Sequence, residues 1–251
     1  MRELPELSLK SALALWLAAL VATVPFAVLL PRLMAEASAS MALGGYALFY
    51  LVAAAIGWSL GSRLGLGAPL VEAWLDGRRG DVRELARSAL LGAILGVAAV
   101  VFVLALAWPW PDNTGPDVLP WWSGLAQALY GGIGEELLFR FGMMALIAWM
   151  ITHLGRFFDT LLRWSRPSWE LAPNVTVALW GGLVISSVVF GLAHAGQGEG
   201  TTIVQVSLRL AAGFLFGWLY WRRGIESAMA AHLAYDLVAF YANLALVRGV
   251  G

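Results

Sequence analysis

Gly131 to Phe141 reads GGIGEELLFRF and places Glu135, Glu136 and Arg140 in the middle of an apolar run from Trp121 to Met150. No formal charge occurs from Trp121 to Gly134, and none from Phe141 to Thr152. A run of this length crosses a bilayer as a helix. Each ionisable group near its centre costs about 2.5–3.5 kcal/mol even on lenient insertion scales. Such groups persist when they pair, face a wet cavity or do chemistry. At about 100° per residue, Glu136 and Arg140 share a helix face and can pair at i, i+4. Glu135 points about 100° away from Glu136 and about 140° from Arg140. Arg140 therefore neutralises Glu136, and Glu135 is left without a partner in its own helix. A structural knot between helices explains one ion pair as well as function does. The unpaired second carboxylate favours function.

Outward from this stretch, the rest of the chain is of the same kind. Its 251 residues are 60% hydrophobic and 13% charged, against about 25% charged in a soluble domain; the mean hydropathy is +0.76. The fold class expected is all-α, a polytopic transmembrane bundle whose principal partner is the lipid bilayer. Seven spans are predicted, near Ser11–Leu30, Met41–Leu60, Ser88–Trp108, Trp121–Met150, Asn174–Ala193, Ile203–Trp221 and Ile225–Val247. The fourth is long, and its glycines Gly131, Gly132 and Gly134 predict a tilt or break. The first is read as a retained helix, because the segment before it (Arg2, Glu3, Glu6, Lys10) has no net positive charge. Ala68 to Arg87 is too polar to cross and predicts short amphipathic helices on the inner surface. Two regions are expected: residues 1–110, N-terminal helices with the interfacial segment, and residues 120–251, the bundle that carries the chemistry.

Loop charge orients the bundle. With the N-terminus inside, twelve Lys and Arg fall in inner segments against Arg32 and Arg248 outside. This bias predicts a cytoplasmic N-terminus; the membrane expected is a bacterial inner membrane. Cysteine is absent, which excludes disulfides, thiolate nucleophiles and Cys-based zinc sites. Net charge is zero with no basic run, so nucleic acid is not an expected partner.

Histidine occurs three times. His194 ends the fifth span in Phe190-Gly-Leu-Ala-His194, with Ser187 further back on the same face. His232 lies in the seventh span in His232-Leu-Ala-Tyr-Asp236, sharing a helix face with a carboxylate. His153, beside Trp149 at the inner interface, reads as structural. Helices four, five and seven thus each carry polar groups at helical spacing that can converge on one cavity. A carboxylate and a neutral imidazole can take a proton from water and pass it to a leaving amine. A second histidine with a polar neighbour can donate to a developing oxyanion. These are the parts of a peptide hydrolase without a covalent intermediate. Glu135, His194 and His232 are also the donors that a zinc ion would use.

GEELLFR (Glu135, Glu136, Arg140), FGLAH (Phe190, His194) and HLAYD (His232, Asp236), in this order on separate spans, resemble the EExxxR, FxxxH and HxxxN/D motifs of the CPBP intramembrane proteases. That family takes in CAAX prenyl endopeptidases and bacteriocin-processing, or ABI, proteins. The resemblance covers roughly Trp121 to Ala245. Arg222-Arg-Gly-Ile-Glu-Ser, before His232, is similar to the family's RTGSLWPAI segment without its proline. The resemblance implies an all-helical bundle with the site in an internal cavity. It implies that Glu135 and His194 activate water, that His232 and Asp236 form the oxyanion site, and that Glu136, Arg140 and Phe190 support them. It implies a peptide or protein substrate, prenylated in the CAAX branch, and a glutamate–histidine arrangement that can act without metal; zinc has been assumed for the family and stays open as a cofactor. Two features stand apart from it. Asp236 occupies a position more often filled by Asn. Ideal straight spans also place His194 near the outer end of its helix and His232 two turns from the inner end, separated by much of the bilayer.

Two further readings compete. A proton-coupled carrier would use Glu135 as its midplane proton site; the single carboxylate cluster and the lack of an inverted repeat weigh against it. A non-catalytic scaffold or immunity protein would not need every motif position filled.

Overall fold

Backbone N–H and C=O groups in hydrocarbon must be paired within their own segment, and the bundle obeys this. The structure, a computed structural model, describes residues 8–33, 38–107, 120–162, 175–195 and 203–249. Among the described residues there is no strand. The helices are α1 (Leu9–Leu33), α2 (Ala39–Ile56), α3 (Pro69–Leu75), α4 (Arg79–Ala107), α5 (Ser123–Leu129), α6 (Ala145–Leu162), α7 (Val175–Ala193), α8 (Ile203–Arg223) and α9 (Ile225–Gly249). Among the described residues six stretches are long and apolar enough to cross a membrane: Leu9–Pro31, Ala39–Leu64, Arg79–Ala105, Ser123–Phe157, Val175–Ala193 and Ile203–Arg223. The seventh expected span is α9, a single helix of 25 residues that carries Glu226, His232 and Asp236 and is correspondingly less apolar. The protein is an integral membrane helix bundle. Its outer surface is apolar: Leu17, Val21, Phe49, Ile94, Phe102 and Val177 are exposed on different helices, as a lipid-facing surface requires.

Three expectations are corrected. The fourth span does not break at its glycines. It runs on from α5 through two π-helical segments, Tyr130–Glu135 and Leu137–Met144, into α6. Ala68–Arg87 does not form a set of interfacial helices. α3 is one, with Trp74 and Leu75 exposed and Glu72 and Ala73 buried, but residues from Arg79 onward are the first turns of the third span. The inner loop expected over Leu154–Pro173 is helical as far as Leu162, the end of α6; residues 108–119, 163–174 and 196–202, with the expected outer loop after Trp108 and with Glu199, lie outside the described residues.

Small residues set the helix spacing. Gly92 and Gly96, at i, i+4 on α4, lie against the backbone carbonyls of Ser227 and Ala231 on α9, so a Cβ at either glycine would clash. This is close packing by small residues, which substitutes in lipid for a hydrophobic driving force. α4 and α9 form the most extensive helix pair, so residues 1–110 and 120–251 pack directly on each other. α1 joins α2 through Trp16 Nε1–H to the Ala47 carbonyl (2.9 Å) and through Thr23 Oγ1 to the Tyr50 hydroxyl (2.8 Å). The core at the centre is built from Leu137, Phe141, Met144, Leu183, Phe216 and Ala231.

α8 and α9 are joined through Gly224 alone, at φ 97, a left-handed conformation open to glycine at little cost. One end of the bundle is tied polarly around this turn. Ile225 N–H donates to the Gly67 carbonyl (3.1 Å), Val71 N–H to Glu226 (2.9 Å), and Ser8 N–H to Glu72 (2.7 Å).

Candidate active site

Glu136 and Arg140 sit where no water reaches. Both side chains are 0% exposed, and Arg140 Nη1 lies 3.0 Å from Glu136 Oε1. The i, i+4 pairing expected from sequence is therefore present, although it spans a π-helical turn. Arg140 Nη2–H donates to the Gly213 carbonyl of α8 (3.1 Å). Its guanidinium lies 4.3 Å from the centroid of Phe190 and 5.5 Å from that of Phe216. These are cation–π distances that replace part of the lost hydration. Glu136 has a second partner that intrahelical geometry did not disclose. His232 Nδ1 lies 2.8 Å from its Oε1. With Glu136 ionised against Arg140, that imidazole nitrogen is the donor. One buried carboxylate thus ties the fourth span to α9 as well as to its own helix, and Arg140 extends the tie to α8.

Glu135, one residue earlier, faces the other way. Its Oε2 lies 3.7 Å from Nε2 of His194, and the two side chains are 11% and 16% exposed. His194 Nδ1 lies 2.7 Å from the Phe190 carbonyl. A carbonyl can only accept, so Nδ1 carries a proton, and in the neutral ring Nε2 is left with its lone pair toward Glu135. A gap of 3.7 Å is too long for a direct hydrogen bond and suits a single oxygen shared by both groups.

His232 Nε2 faces Asp236 Oδ2 at 3.4 Å, and the Asp236 side chain is 28% exposed. The His232 ring is stacked on Phe216 (centroids 4.5 Å, interplanar 19°). Phe190 connects the two histidines, its ring 4.7 Å from that of His194 and 5.6 Å from that of His232. Glu135, Glu136, Arg140, Phe190, His194, His232 and Asp236 are therefore gathered in one cluster between the fourth span, α7, α8 and α9.

The depth conflict disappears for a structural reason. Arg209 Nη1–H donates to the His194 carbonyl (3.1 Å), and Phe216, stacked on His232, lies two turns further along the same helix. Both histidine rings lie against the single Phe190 ring, at 4.7 Å and 5.6 Å between centroids, so one side chain spans the gap between them.

Other candidates fall away. Ser187 returns its hydroxyl to the Leu183 carbonyl of its own helix (2.7 Å). His153 is exposed, packs on Trp149 with centroids 4.0 Å apart, and meets the Trp149 carbonyl through Nδ1 (2.9 Å), as its structural reading expects. Among the described residues no group of three His, Cys, Asp or Glu is placed to hold a metal ion. The two His232 nitrogens already face Glu136 and Asp236.

Sequence reasoning missed the groups behind Glu135. Tyr130, Tyr46 and Tyr50 form an aromatic wall with Phe26; Phe26 and Tyr130 stack at 4.3 Å and Tyr46 meets Tyr130 edge-on at 5.3 Å. A Cβ at Gly134, the neighbour of Glu135, would run into the Tyr50 hydroxyl, which sets that ring against this turn. The available signal was Tyr46 and Tyr50 at i, i+4, two hydroxyls in an otherwise apolar span. Gly131 was visible but its use was not. A Cβ there would overlap Asp236 Oδ2 and come 3.3 Å from His232 Nε2.

Residues 117–238 match the family model described as type II CAAX prenyl endopeptidase Rce1-like. The match takes in just under half of the chain, from ahead of α5 to just past Asp236, and so spans every residue of the cluster. No curated protein and no solved structure matches the chain.

Proposed function

We propose, from the likeness of residues 117–238 to the Rce1-like family model, that this chain is a CPBP-type membrane protease and that it cleaves a peptide bond with water activated by Glu135 and His194. The observation that carries the reading is the 3.7 Å space between Glu135 Oε2 and His194 Nε2, bounded by two groups with uncommitted lone pairs. A water oxygen there gives one proton to Glu135 as it attacks the scissile carbonyl carbon. The C–O bond forms, the carbonyl electrons move to oxygen, and the oxyanion accepts a hydrogen bond from His232 Nε2–H. Because Nδ1–H of His232 is already given to Glu136, donation from Nε2 requires the imidazolium form. Glu136 and Asp236 stand on either side to balance its charge. Collapse of the intermediate breaks the C–N bond, and the proton held by Glu135, passed directly or through His194, goes to the departing amine. Glu136, Arg140 and Phe190 hold the frame without touching the reacting atoms.

Every proton in this scheme is carried by Glu135 and His194. The substrate class that fits the family is a membrane-associated peptide, prenylated in the CAAX case. The side facing the cytoplasm is assigned from loop charge: Arg222 and Arg223 lie at the end of the bundle tied by Glu72 and Glu226.

The test is cleavage of a prenyl-cysteine peptide by protein in nanodiscs. Glu135→Gln and His194→Ala should each lose turnover while retaining the wild-type melting temperature. Full activity in either variant would refute the assignment.

A further inference from the structure

The start of α4 carries three arginines that the rest of the fold leaves without a task. Arg79, Arg83 and Arg87 follow one another at i, i+4 and i, i+8, so at about 100° per residue they fall within one sector about 80° wide. All three are exposed, and among the described residues no carboxylate stands at ion-pair distance from any of them. The acids of the same turns point elsewhere. Asp81 lies about 160° from the middle of the stripe and meets Arg78 (2.7 Å); Glu84 lies about 100° from it. Beyond Arg87 the same sector continues through Leu90, Ile94, Val97 and Val101, all exposed, and no formal charge occurs from Ser88 to Ala107. The other side of the helix is the packed one. Ser88 and Ser227 meet through their hydroxyls (3.3 Å), and Gly92 and Gly96 close on the α9 backbone. The arginine stripe therefore faces lipid and not protein. Ahead of it α3 exposes Trp74, a side chain suited to the membrane–water interface.

We propose that this face of α4 is a binding site for an anionic phospholipid, its phosphate held among Arg79, Arg83 and Arg87 and its acyl chains laid along Leu90, Ile94 and Val101. The stripe rises about 12 Å from Arg79 to Arg87, and the headgroup layer on one side of a bilayer is about 5–7 Å deep. Long basic side chains bend toward that layer along their aliphatic stems, which brings the three guanidinium groups to one depth. Each is a planar fork that grips phosphate oxygens two at a time. Three forks with no carboxylate of their own favour a headgroup of net negative charge over a zwitterionic one, whose cation they repel. An acidic protein segment would match the arginines but not the exposed aliphatic side chains that follow them on the same face; a phospholipid matches both. Diffuse surface charge also attracts anionic lipid, but it does not distinguish these arginines from others at the same end of the bundle. The site stands apart from the protease reading and does not depend on it.

In the experiment the full chain, in a neutral detergent, is titrated with phosphatidylglycerol and with phosphatidylcholine of the same acyl chains. Bound lipid is counted by native mass spectrometry. Wild type should bind phosphatidylglycerol at least about tenfold more tightly. Arg83→Gln combined with Arg87→Gln should weaken that binding about twenty- to thirtyfold, at about fivefold for each arginine. Arg83→Lys combined with Arg87→Lys keeps the charge and should restore most of it. Arg63→Gln combined with Arg222→Gln removes the same charge from two other exposed arginines at this end and should leave binding as in wild type. All four side chains are exposed, so every variant should keep the wild-type melting temperature. Equal affinity of wild type for the two lipids would overturn the proposal. So would phosphatidylglycerol binding that survives in the Arg83/Arg87 glutamine pair. An equal loss in both glutamine pairs would overturn it as well, by reducing the effect to overall charge, and so would a loss in the lysine pair as large as in its glutamine counterpart.

Discussion

Glu135 and Glu136 are adjacent in sequence and live in different environments. Glu136 is sealed at 0% exposure between a guanidinium and an imidazole. Glu135 is partly open, with its nearest described partner at 3.7 Å. Both are carboxylates at the same depth, so neither residue type nor depth separates their roles. Commitment does. A buried carboxylate that satisfies two cationic partners gains rigidity and loses the freedom to exchange a proton. Its open neighbour keeps that freedom, because the sealed pair beneath it fixes where it points.

The contrast breaks most sharply at the open position. Glu135→Gln keeps the shape and removes the base, so cleavage should fall by about 10²–10⁴-fold with no change in melting temperature. The sealed side should respond in the opposite manner. Arg140→Ala leaves Glu136 buried without its counter-ion and should cost about 3–5 kcal/mol of stability. It should be read as an early thermal transition in detergent, with activity lost only because folded protein is lost. If Arg140→Ala melts like wild type, the sealed side is not the frame.

Gly131→Ala probes where the two sides meet. Its methyl group must push Asp236 or the His232 ring aside, so kcat should drop by about tenfold for a shift of a fraction of an ångström, while KM and melting temperature change little. Asp236→Asn is milder. Asn can donate and accept at the same position and lacks only the charge, so activity should stay within about tenfold of wild type. Asp236→Ala should be the worse of the two, and equal effects would show that the side chain is idle. The smallest effect expected is from chelation. Dialysis against a strong chelator should leave turnover unchanged, and loss of turnover restored by zinc would replace the water-activation scheme with a metal-assisted one.

Much of this was legible in the chain. Uninterrupted apolar runs longer than a bilayer is thick leave helices as the only economical solution, so fold class and most spans followed directly. The ion pair Glu136–Arg140 followed from spacing within one helix. The π-helical course of Tyr130–Met144 did not follow, because one extra residue per turn leaves no mark in residue type; the glycines there suggested a break instead. Nor did the continuity of Arg79–Ala107, because a polar first turn followed by an apolar helix looks like two elements. Tyr130 and Phe216 were overlooked as site residues for another reason. In an apolar span a ring that packs against lipid and a ring that lines a cavity have the same sequence context.

By itself, then, the sequence determined which groups are too costly to place in hydrocarbon without purpose, and which of them share a helix face. Only the tertiary structure decided that His232 joins Glu136, that His194 faces Glu135, and that Phe190 bridges two histidines from opposite arms of their helices. The physical reason is that intrahelical neighbours are set by local geometry, whereas neighbours across helices depend on how closely backbones approach. That approach is governed by small residues such as Gly92, Gly96 and Gly131, whose partners lie on other helices.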